Sequence, residues 1–404
     1  MRRTWILVLA ALFAWIVPAL TWAAKCKVLH NFGYGNSPSG PLLLNEKGSL
    51  FGSNYSATFE LIPQRSGRWK QAILHRFATH DGSPRGALVR DGLGNLYGTT
   101  IGGPVSNSEV YQLSLGSQGW TFTPLYTDGA GPGLLMDSSG NLYGQMGSGP
   151  YTYYGAIAEL SPGVNGWNYD ALYNFCSSSG DCWDGFVLPA PPIWDGKGNM
   201  LGVTQEGGIG WGGKGNPPCW TNNGCGVIFE MTPRGDGTWA YHVLHRFASS
   251  KTDGQTPQGG LVKDAAGNFY GTTGGGGAYD NGIVFKLSPQ AGGRWKMTVI
   301  YDFPRYCDNG CGPAGRLAFD KAGNLYGENG GGHGSCSGGH YFCGMIYKLA
   351  PQKNGKWKYS SVYKFHGPDG FGPLGVTLDN EGNIYGATTW GGKHNFGVAF
   401  EITP

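Results

Sequence analysis

Charged residues are scarce in this sequence. Asp, Glu, Lys and Arg make up 14% of the 404 residues, against roughly 25% in ordinary soluble domains. The formal net charge is +3 and no run of Lys or Arg occurs, which excludes a basic surface for binding nucleic acid. The chain also contains no Gly-x-Ser-x-Gly nucleophile elbow and no phosphate-binding Gly-Lys-Ser/Thr loop, two motifs that would indicate a hydrolase or a nucleotide-binding enzyme.

Glycine, proline and aromatic residues are abundant instead. The chain has 74 Gly and 24 Pro, together with 19 Phe, 14 Trp and 22 Tyr. Disordered sequences lack the apolar surface that so many aromatic rings supply. We therefore expect a folded, turn-rich protein of the all-β class.

The first residues have the layout of a secretory signal peptide. A positively charged start is followed by an apolar run over residues 5–17, by Pro18, and by the small residues Ala23 and Ala24. The run is too short to cross a hydrocarbon core of about 30 Å as a helix, and no later segment is apolar enough to form a stable membrane span. We predict a signal peptide over residues 1–24, cleaved near Ala23 or Ala24, and a secreted or periplasmic protein.

Eight of the nine cysteines form four close pairs along the chain. Each pair brackets a stretch rich in Gly, Ser or Asn, which is typical of disulfides that pin single loops in an oxidising compartment. A zinc site would need two-residue spacings that are absent here. The ninth cysteine, Cys26, invites a lipoprotein interpretation, but Lys25 stands where a small residue is required. The predicted disulfides are Cys176–Cys182, Cys219–Cys225, Cys307–Cys311 and Cys336–Cys343.

A phrase of the form Asp-x-x-Gly-Asn-(Leu/Phe/Ile)-Tyr-Gly recurs along the chain. Including two degenerate copies, there are seven copies spaced 46 to 69 residues apart. A period near 40–50 residues with several strands per unit indicates a β-propeller rather than a helical solenoid. The copies begin at Asn45, Asp91, Asp137, Asp195, Asp264, Asp320 and Asp379.

Each unit divides into four strand-like segments. The first ends at the Asp, and a tight turn leads to the second, the Leu-Tyr-Gly segment. The third alternates apolar and polar residues and usually ends in Pro, as in the segment 284–289, and a Trp then introduces the fourth. The repeated Asp and Asn are better explained as turn residues than as calcium ligands, since one carboxylate per turn falls short of six to eight oxygens.

The two ends of the chain are out of phase with the repeat. Residues 27–32 read as a fourth strand with no unit before it, and residues 397–404 read as a third strand with no fourth strand after it. The amino-terminal strand should therefore complete the last blade and remove an exposed sheet edge. We predict a seven-bladed β-propeller with four-stranded blades in a single domain over residues 25–404.

The repeat resembles the GloVer tandem repeat of secreted bacterial proteins. The resemblance rests on the segments that begin at Gly98, Gly271 and Gly386, which read GTTIGG, GTTGGGG and GATTWGG, and on third strands such as GIVFKLSP. It covers essentially the whole chain after residue 24. It implies export and a propeller-like fold, and it supplies no catalytic residue.

Loop growth is confined to one side of the predicted ring. The second-to-third and fourth-to-first connections lie on the same side, and they hold all the long insertions and every predicted disulfide. Loops on one side of a rigid scaffold are where recognition usually lies. The candidate ligand-binding residues on this side are Trp183, Trp211, Trp220, Trp390, Glu206, Glu328, His333, His366 and His394.

The acidic residues and histidines in this set could also converge on a metal or catalytic site. His30, His75 and His245 are set apart from them, because they share one position in the fourth strand and are best explained as structural. No two of the loop histidines have the local spacing of metal ligands, so we expect neither a metal ion nor another cofactor.

The sequence thus favours an exported, non-catalytic, monomeric propeller that binds a glycan, peptide or protein partner. Two alternatives remain open. One is a secreted enzyme, a lyase or hydrolase acting on polysaccharide or a small metabolite with Glu206, Glu328 and the loop histidines. The other is a structural component of an envelope or matrix.

Overall fold

The computed structural model describes residues 24–78, 81–102, 108–147, 154–176, 182–210, 219, 223–248, 250, 252–305, 312–330 and 343–404. The described residues form 29 strands and one short 3₁₀ turn, Ala291–Gly293. The strands build seven antiparallel sheets that are the blades of one ring. The predicted seven-bladed, all-β propeller is therefore confirmed. No helix in these ranges is long and apolar enough to cross a membrane.

The strands follow one another around the ring in chain order, apart from the first. The amino-terminal strand is β1 (Lys25–Asn31). Blade one contains β2 (Leu43–Leu44), β3 (Leu50–Asn54), β4 (Ala57–Pro63) and β5 (Trp69–Arg76). Blade two contains β6 (Ser83–Arg90), β7 (Leu96–Ile101), β8 (Val110–Gly116) and β9 (Gly119–Tyr126). Blade three contains β10 (Leu135–Met136), β11 (Leu142–Met146), β12 (Ala156–Gly163) and β13 (Gly166–Asn174).

The remaining four blades have the same plan. Blade four contains β14 (Ile193–Trp194), β15 (Met200–Val203), β16 (Val227–Pro233) and β17 (Trp239–Arg246). Blade five contains β18 (Gly254–Lys263), β19 (Phe269–Gly276), β20 (Ile283–Pro289) and β21 (Trp295–Asp302). Blade six contains β22 (Pro313–Phe319), β23 (Leu325–Asn329), β24 (Met345–Pro351) and β25 (Trp357–Lys364). Blade seven contains β26 (Phe371–Pro373), β27 (Thr377–Leu378), β28 (Ile384–Trp390), β29 (Val398–Thr403) and, as its fourth strand, β1.

The ring is closed by β1, which pairs with β29 at the other end of the sequence. The two strands run antiparallel from the pair Lys25–Thr403 to the pair Asn31–Val398. Just beyond them, the backbone N–H of Phe32 donates to the carbonyl oxygen of Gly397 at 3.0 Å. The seam predicted from the out-of-phase ends of the repeat is therefore confirmed.

Each repeated Asp closes the turn between the first and second strands of its blade. In blade two, Asp91 Oδ1 accepts hydrogen bonds from the backbone N–H groups of Leu93 at 2.9 Å and Asn95 at 2.8 Å. Its Oδ2 accepts from the Asn95 side chain at 2.7 Å and from the Tyr97 hydroxyl at 3.1 Å. Both oxygens are used inside the blade, which explains why Asp, Asn and Tyr recur together. The same Asn and Tyr contacts recur at Asp137, Asp264, Asp320 and Asp379.

In six of the seven blades, the glycine of the Tyr-Gly pair or its equivalent makes room for an aromatic ring of the third strand. A Cβ atom built on Gly271 would lie 2.5 Å from the ring of Phe285, well inside normal carbon–carbon contact. In blade three Ala158 replaces the ring, and a Cβ on Gly144 would meet no atom closer than 3.2 Å. Approaches of 2.4 to 2.9 Å recur for Gly52 with Phe59, Gly98 with Tyr111, Gly202 with Phe229, Gly327 with Tyr347 and Gly386 with Phe400.

These third-strand rings also form the core between blades. At six of the seven junctions between blades, a Phe just after the fourth strand packs against the ring of the following blade, as Phe247 does against Phe285 with centroids 5.4 Å apart. The junction between blades two and three lacks such a pair, because Asp128 and Ala158 occupy the two positions. The other pairs are Phe32–Phe59, Phe77–Tyr111, Phe175–Phe229, Phe303–Tyr347 and Phe365–Phe400.

Neighbouring blades meet backbone to backbone at their first strands. A Cβ on Gly259 of blade five would lie 1.7 Å from the carbonyl oxygen of Gly315 in blade six. A Cβ on Gly40 of blade one would lie 2.3 Å from that of Gly86 in blade two. Only glycine permits this approach, so much of the glycine content is a requirement of ring packing.

We predict that Gly271→Ala lowers the free energy of unfolding by about 1–3 kcal/mol, the usual cost of forcing an extra methyl group into a packed core. Gly144→Ala is the matched control, because it changes the same repeat position in the blade without the ring. Its effect should stay within about 0.5 kcal/mol. Denaturant unfolding followed by circular dichroism measures both variants, and equal losses would contradict the packing argument.

We also predict that removing residues 1–31 destabilises the ring more than removing residues 1–23. The longer truncation unpairs β29 and removes the apolar side chains of Val28 and Leu29, whose burial contributes about 3 kcal/mol together. Thermal unfolding and limited proteolysis of the carboxyl-terminal strand should both report the loss. Identical melting and cleavage of the two chains would disprove closure by β1.

Candidate functional site

The connections of the blades divide between the two ends of the ring. In each four-stranded meander the second-to-third and fourth-to-first connections lie at one end, which we call the loop face. The first-to-second and third-to-fourth turns lie at the other end, which we call the turn face. Of the residues in the candidate set, those in the described ranges lie on or beside the loop face, and Trp211, Trp220 and His333 lie outside those ranges.

Exposed aromatic side chains are concentrated on the loop face. Exposed apolar side chains at the turn face are aliphatic, and the exposed Tyr169 belongs to β13, where it stacks on Tyr126. The exposed rings in loop-face connections are Tyr34, Tyr55, Trp183, Tyr279 and Trp390. The exposed aliphatic residues of the turn face are Leu93, Leu115 and Val164.

Trp183 is displayed by a firmly held loop between blades three and four. The Cys176–Cys182 disulfide closes the loop just before it. Asp184, just after it, accepts hydrogen bonds from the Tyr173 hydroxyl at 2.7 Å and from the backbone N–H of Cys176 at 3.0 Å. The indole is nevertheless 43% exposed. The loop therefore holds the ring towards solvent rather than under a blade.

Glu206 lies beside this loop. Its backbone exchanges hydrogen bonds with Phe186, at 3.0 and 3.2 Å, and the next turn of chain is tied to Cys182 through the N–H of Gly208. The structure thus brings Trp183 and Glu206 to the same part of blade four. Glu206 is half-buried. An exposed aromatic ring and a partly accessible carboxylate therefore lie in the same region of the loop face.

A second aromatic group lies where blade seven meets blade one. Tyr34 is 89% exposed, and its ring packs edge-on against Phe396 with centroids 5.0 Å apart. The loop carrying Phe396 is tied to β1, since the N–H of Lys393 donates to Asn31 Oδ1 at 2.7 Å. Trp390 ends β28 opposite Phe371 and leads into the same loop. Both ends of the chain therefore contribute to this group.

The two described candidate histidines, His366 and His394, are exposed. His366 Nδ1 lies 3.3 Å from Asp369 Oδ2, and its backbone N–H donates to Oδ1 at 2.7 Å. His394 is exposed in the loop of blade seven. Within the described ranges no group of three or more His, Cys, Asp or Glu side chains could hold a metal ion.

Among the members of the set that the structure describes, Glu328 is the one that is fully buried. It lies in β23 and is 1% exposed. Burial raises the pKa of its carboxyl group to about 8, although a hydrogen bond from the backbone N–H of Gly375 partly offsets this. Glu328 is therefore not presented to solvent on the loop face, and a ligand on this surface would not touch it.

His245, one of the three fourth-strand histidines, has a structural role. His245 Nε2 lies 2.9 Å from Oδ2 of Asp253, a buried residue of the following connection. Tyr173 and Tyr363 occupy equivalent positions and donate to Asp184 and Asp369. A ring at the end of the fourth strand thus anchors the next loop through an aspartate.

Two predicted disulfides are confirmed. Cys176–Cys182 and Cys219–Cys225 are bonded. Cys343 is also disulfide-bonded, and its predicted partner Cys336 lies outside the described residues, as do Cys307 and Cys311. Cys26 is free, and burial, followed by the nearby charge of Asp369, raises the pKa of its thiol to about 12.

Sequence reasoning missed Tyr34, Tyr55 and Tyr279. The rule that found Trp183 and Trp390 also covers these tyrosines, because they lie in fourth-to-first or second-to-third connections. The sequence prediction relied on loop length and therefore favoured the long insertions, whereas these tyrosines lie in short connections. Position in the repeat was the better guide than loop length.

Comparison with known proteins reports on family and fold. None of the curated protein sequences matches this chain. Virginiamycin B lyase from Staphylococcus aureus has a similar structure, with a TM-score of 0.57 and 11% identity over 94% of this chain and 99% of that chain. The extracellular domain of BT4673 from B. thetaiotaomicron gives a TM-score of 0.58 and 9% identity over 93% of this chain and 40% of that chain.

A protein from Lactobacillus plantarum gives a TM-score of 0.53 and 13% identity over 88% of this chain and 99% of that chain. Similarity at such low identity concerns the propeller fold alone. The sequence family is indicated separately, because residues 219–404 match the Gloeobacter/Verrucomicrobia repeat. Residues 219–404 therefore carry the Gloeobacter/Verrucomicrobia repeat, in agreement with the resemblance predicted from the recurring Tyr-Gly segments.

Proposed function

We propose that this protein is an exported, non-catalytic propeller that binds a glycan or peptide ligand through aromatic rings on its loop face. The observation that carries the proposal is the segregation of exposed rings. Tyr34, Trp183 and Trp390 are on the loop face, whereas the exposed apolar residues of the turn face are aliphatic. Aromatic rings present a flat apolar surface with a polar edge, which suits stacking on sugar rings and on peptide side chains.

The way these rings are held supports recognition rather than packing. A ring that only caps a blade would be buried, whereas Tyr34 is 89% exposed although its loop is fixed by hydrogen bonds. Loops that are already ordered lose little conformational entropy when a ligand binds. The disulfide that closes the Trp183 loop also fits an oxidising compartment outside the cytoplasm.

The enzyme alternative receives less support from this geometry. It needs Glu206, Glu328 and the loop histidines to act on one substrate. Glu328 is buried between blades six and seven, and Glu206 lies on blade four. His366 borders a cleft beside β25 that is also lined by Ala24 and Pro404. These groups are distributed over the ring rather than gathered around one point.

We predict that Trp183→Ala or Trp390→Ala weakens ligand binding at least tenfold, since an aromatic residue at the centre of an interface typically contributes more than about 1.4 kcal/mol. The probes are immobilised xylan, β-glucan, chitin oligosaccharides and peptidoglycan fragments, together with a random peptide library. Quenching of tryptophan fluorescence then gives Kd for each probe retained by the wild-type protein.

Leu93→Ala is the matched control, because it removes an apolar side chain from the turn face that is more exposed than either tryptophan. It should bind every probe as the wild type does. Binding that is unchanged in both Trp variants, or weakened equally by Leu93→Ala, would contradict recognition by the loop face.

A further inference from the structure

In some blades, the side chain that follows the Tyr-Gly pair forms a hydrogen bond with the backbone of the next blade. In blade two, Thr99 Oγ1 accepts a hydrogen bond from the backbone N–H of Gly133 in blade three, at 3.2 Å. In blade three, Gln145 Oε1 accepts one from the N–H of Leu188 in blade four, at 2.9 Å. The position thus holds a side-chain acceptor that reaches the segment leading into the first strand of the neighbouring blade.

Glu328 occupies this linking position in blade six. Its carboxyl group accepts a hydrogen bond from the backbone N–H of Gly375 in blade seven. It also packs against its own first strand, since a Cβ built on Gly315 would lie 1.9 Å from Oε1. Its other oxygen, Oε2, is buried and has no hydrogen-bond partner. Glu328 is the one ionisable residue at this position, where the other blades have Ser53, Thr99, Gln145, Val203, Thr272 and Ala387.

No described cation faces the Glu328 carboxyl group. In the first strand of its own blade, Arg316 turns the other way and donates to the carbonyl oxygen of Leu261 in blade five, at 3.2 Å. In the third strand, the neighbouring titratable group is the buried Tyr347, whose own pKa is raised by burial and by Glu328. The segment 371–378 of blade seven contains no titratable residue. An ionised carboxylate here would be buried with a single hydrogen bond, which is costly.

We propose that Glu328 makes the contact between blades six and seven depend on pH, because its buried carboxyl group joins the two blades in the protonated state. In the protonated state the carboxyl group joins the two blades as neutral Thr99 and Gln145 join theirs. Loss of the proton places an uncompensated charge between blades six and seven and weakens their contact. This pH dependence affects the stability of the contact between blades six and seven and is independent of the ligand proposed for the loop face.

The sign of the pH dependence follows from the direction of the shift. The folded-state pKa of Glu328, about 8, lies above the value of 4.5 expected for an exposed Glu. Between these values the folded state holds a proton that the unfolded chain has released, so stability falls as pH rises. The contribution of Glu328 is complete below pH 4.5 and is lost once the pH has passed 8.

The test compares the thermal unfolding of the full-length wild type and Glu328→Gln from pH 6 to pH 9. Glutamine has the shape of the protonated acid and occurs naturally at the equivalent position 145. The wild-type unfolding equilibrium should shift towards the unfolded state about a hundredfold more than that of the variant. This corresponds to a midpoint that falls by about 3 °C more. Parallel curves for the two proteins would overturn the proposal.

A spectroscopic measurement on the wild type covers the case in which the variant fails to fold. A carboxyl group that is still protonated at pH 7 gives an infrared carbonyl band that disappears when the pH reaches 10. The band should be present in the wild type and absent from Glu328→Thr, which installs the residue found at positions 99 and 272. A wild-type difference spectrum without this band would overturn the proposal.

Discussion

The close approach of neighbouring first strands is the constraint on which the rest of this ring depends. Gly259 and Gly315 bring the backbones of blades five and six into direct contact, and Gly40 and Gly86 do the same for blades one and two. Packing this tight leaves no room for side chains between the strands. The apolar core is therefore displaced outwards into the spaces between blades, where aromatic residues fill it.

The aromatic core and the loop face are two consequences of the same arrangement. Each third-strand ring needs a glycine beside it and an aromatic residue from the preceding blade, so the strands have little freedom to vary. The connections at the loop face are under no such requirement. Trp183 and Tyr34 can be exposed there because the chain beneath them is fixed by a disulfide, by Asp184 and by the pairing of β1 with β29.

The sequence was sufficient to predict the number of blades, the closure by β1 and the turn role of the repeated Asp, because each depends on local spacing that recurs along the chain. Burial at Glu328 was not predictable in this way. Its position in the repeat put it beside the loop face, but its environment is set by Gly315 and by Gly375 of another blade, which no local pattern reports. The same is true of Tyr34, whose partner Phe396 is at the opposite end of the chain.

The packing of aromatic side chains between blades limits how the number of repeats in such a protein can change. Phe247 belongs to one repeat, but its pocket beside Phe285 and Gly271 belongs to the next. A single excised repeat would expose both an empty pocket beside its third-strand ring and the Phe that normally packs into the next blade. It could therefore not be an autonomous folding unit. Gain or loss of whole repeats preserves the packing of each Phe into its pocket, but it changes the angle at which all neighbouring blades must meet. The glycine contacts between the first strands tolerate little change in that angle.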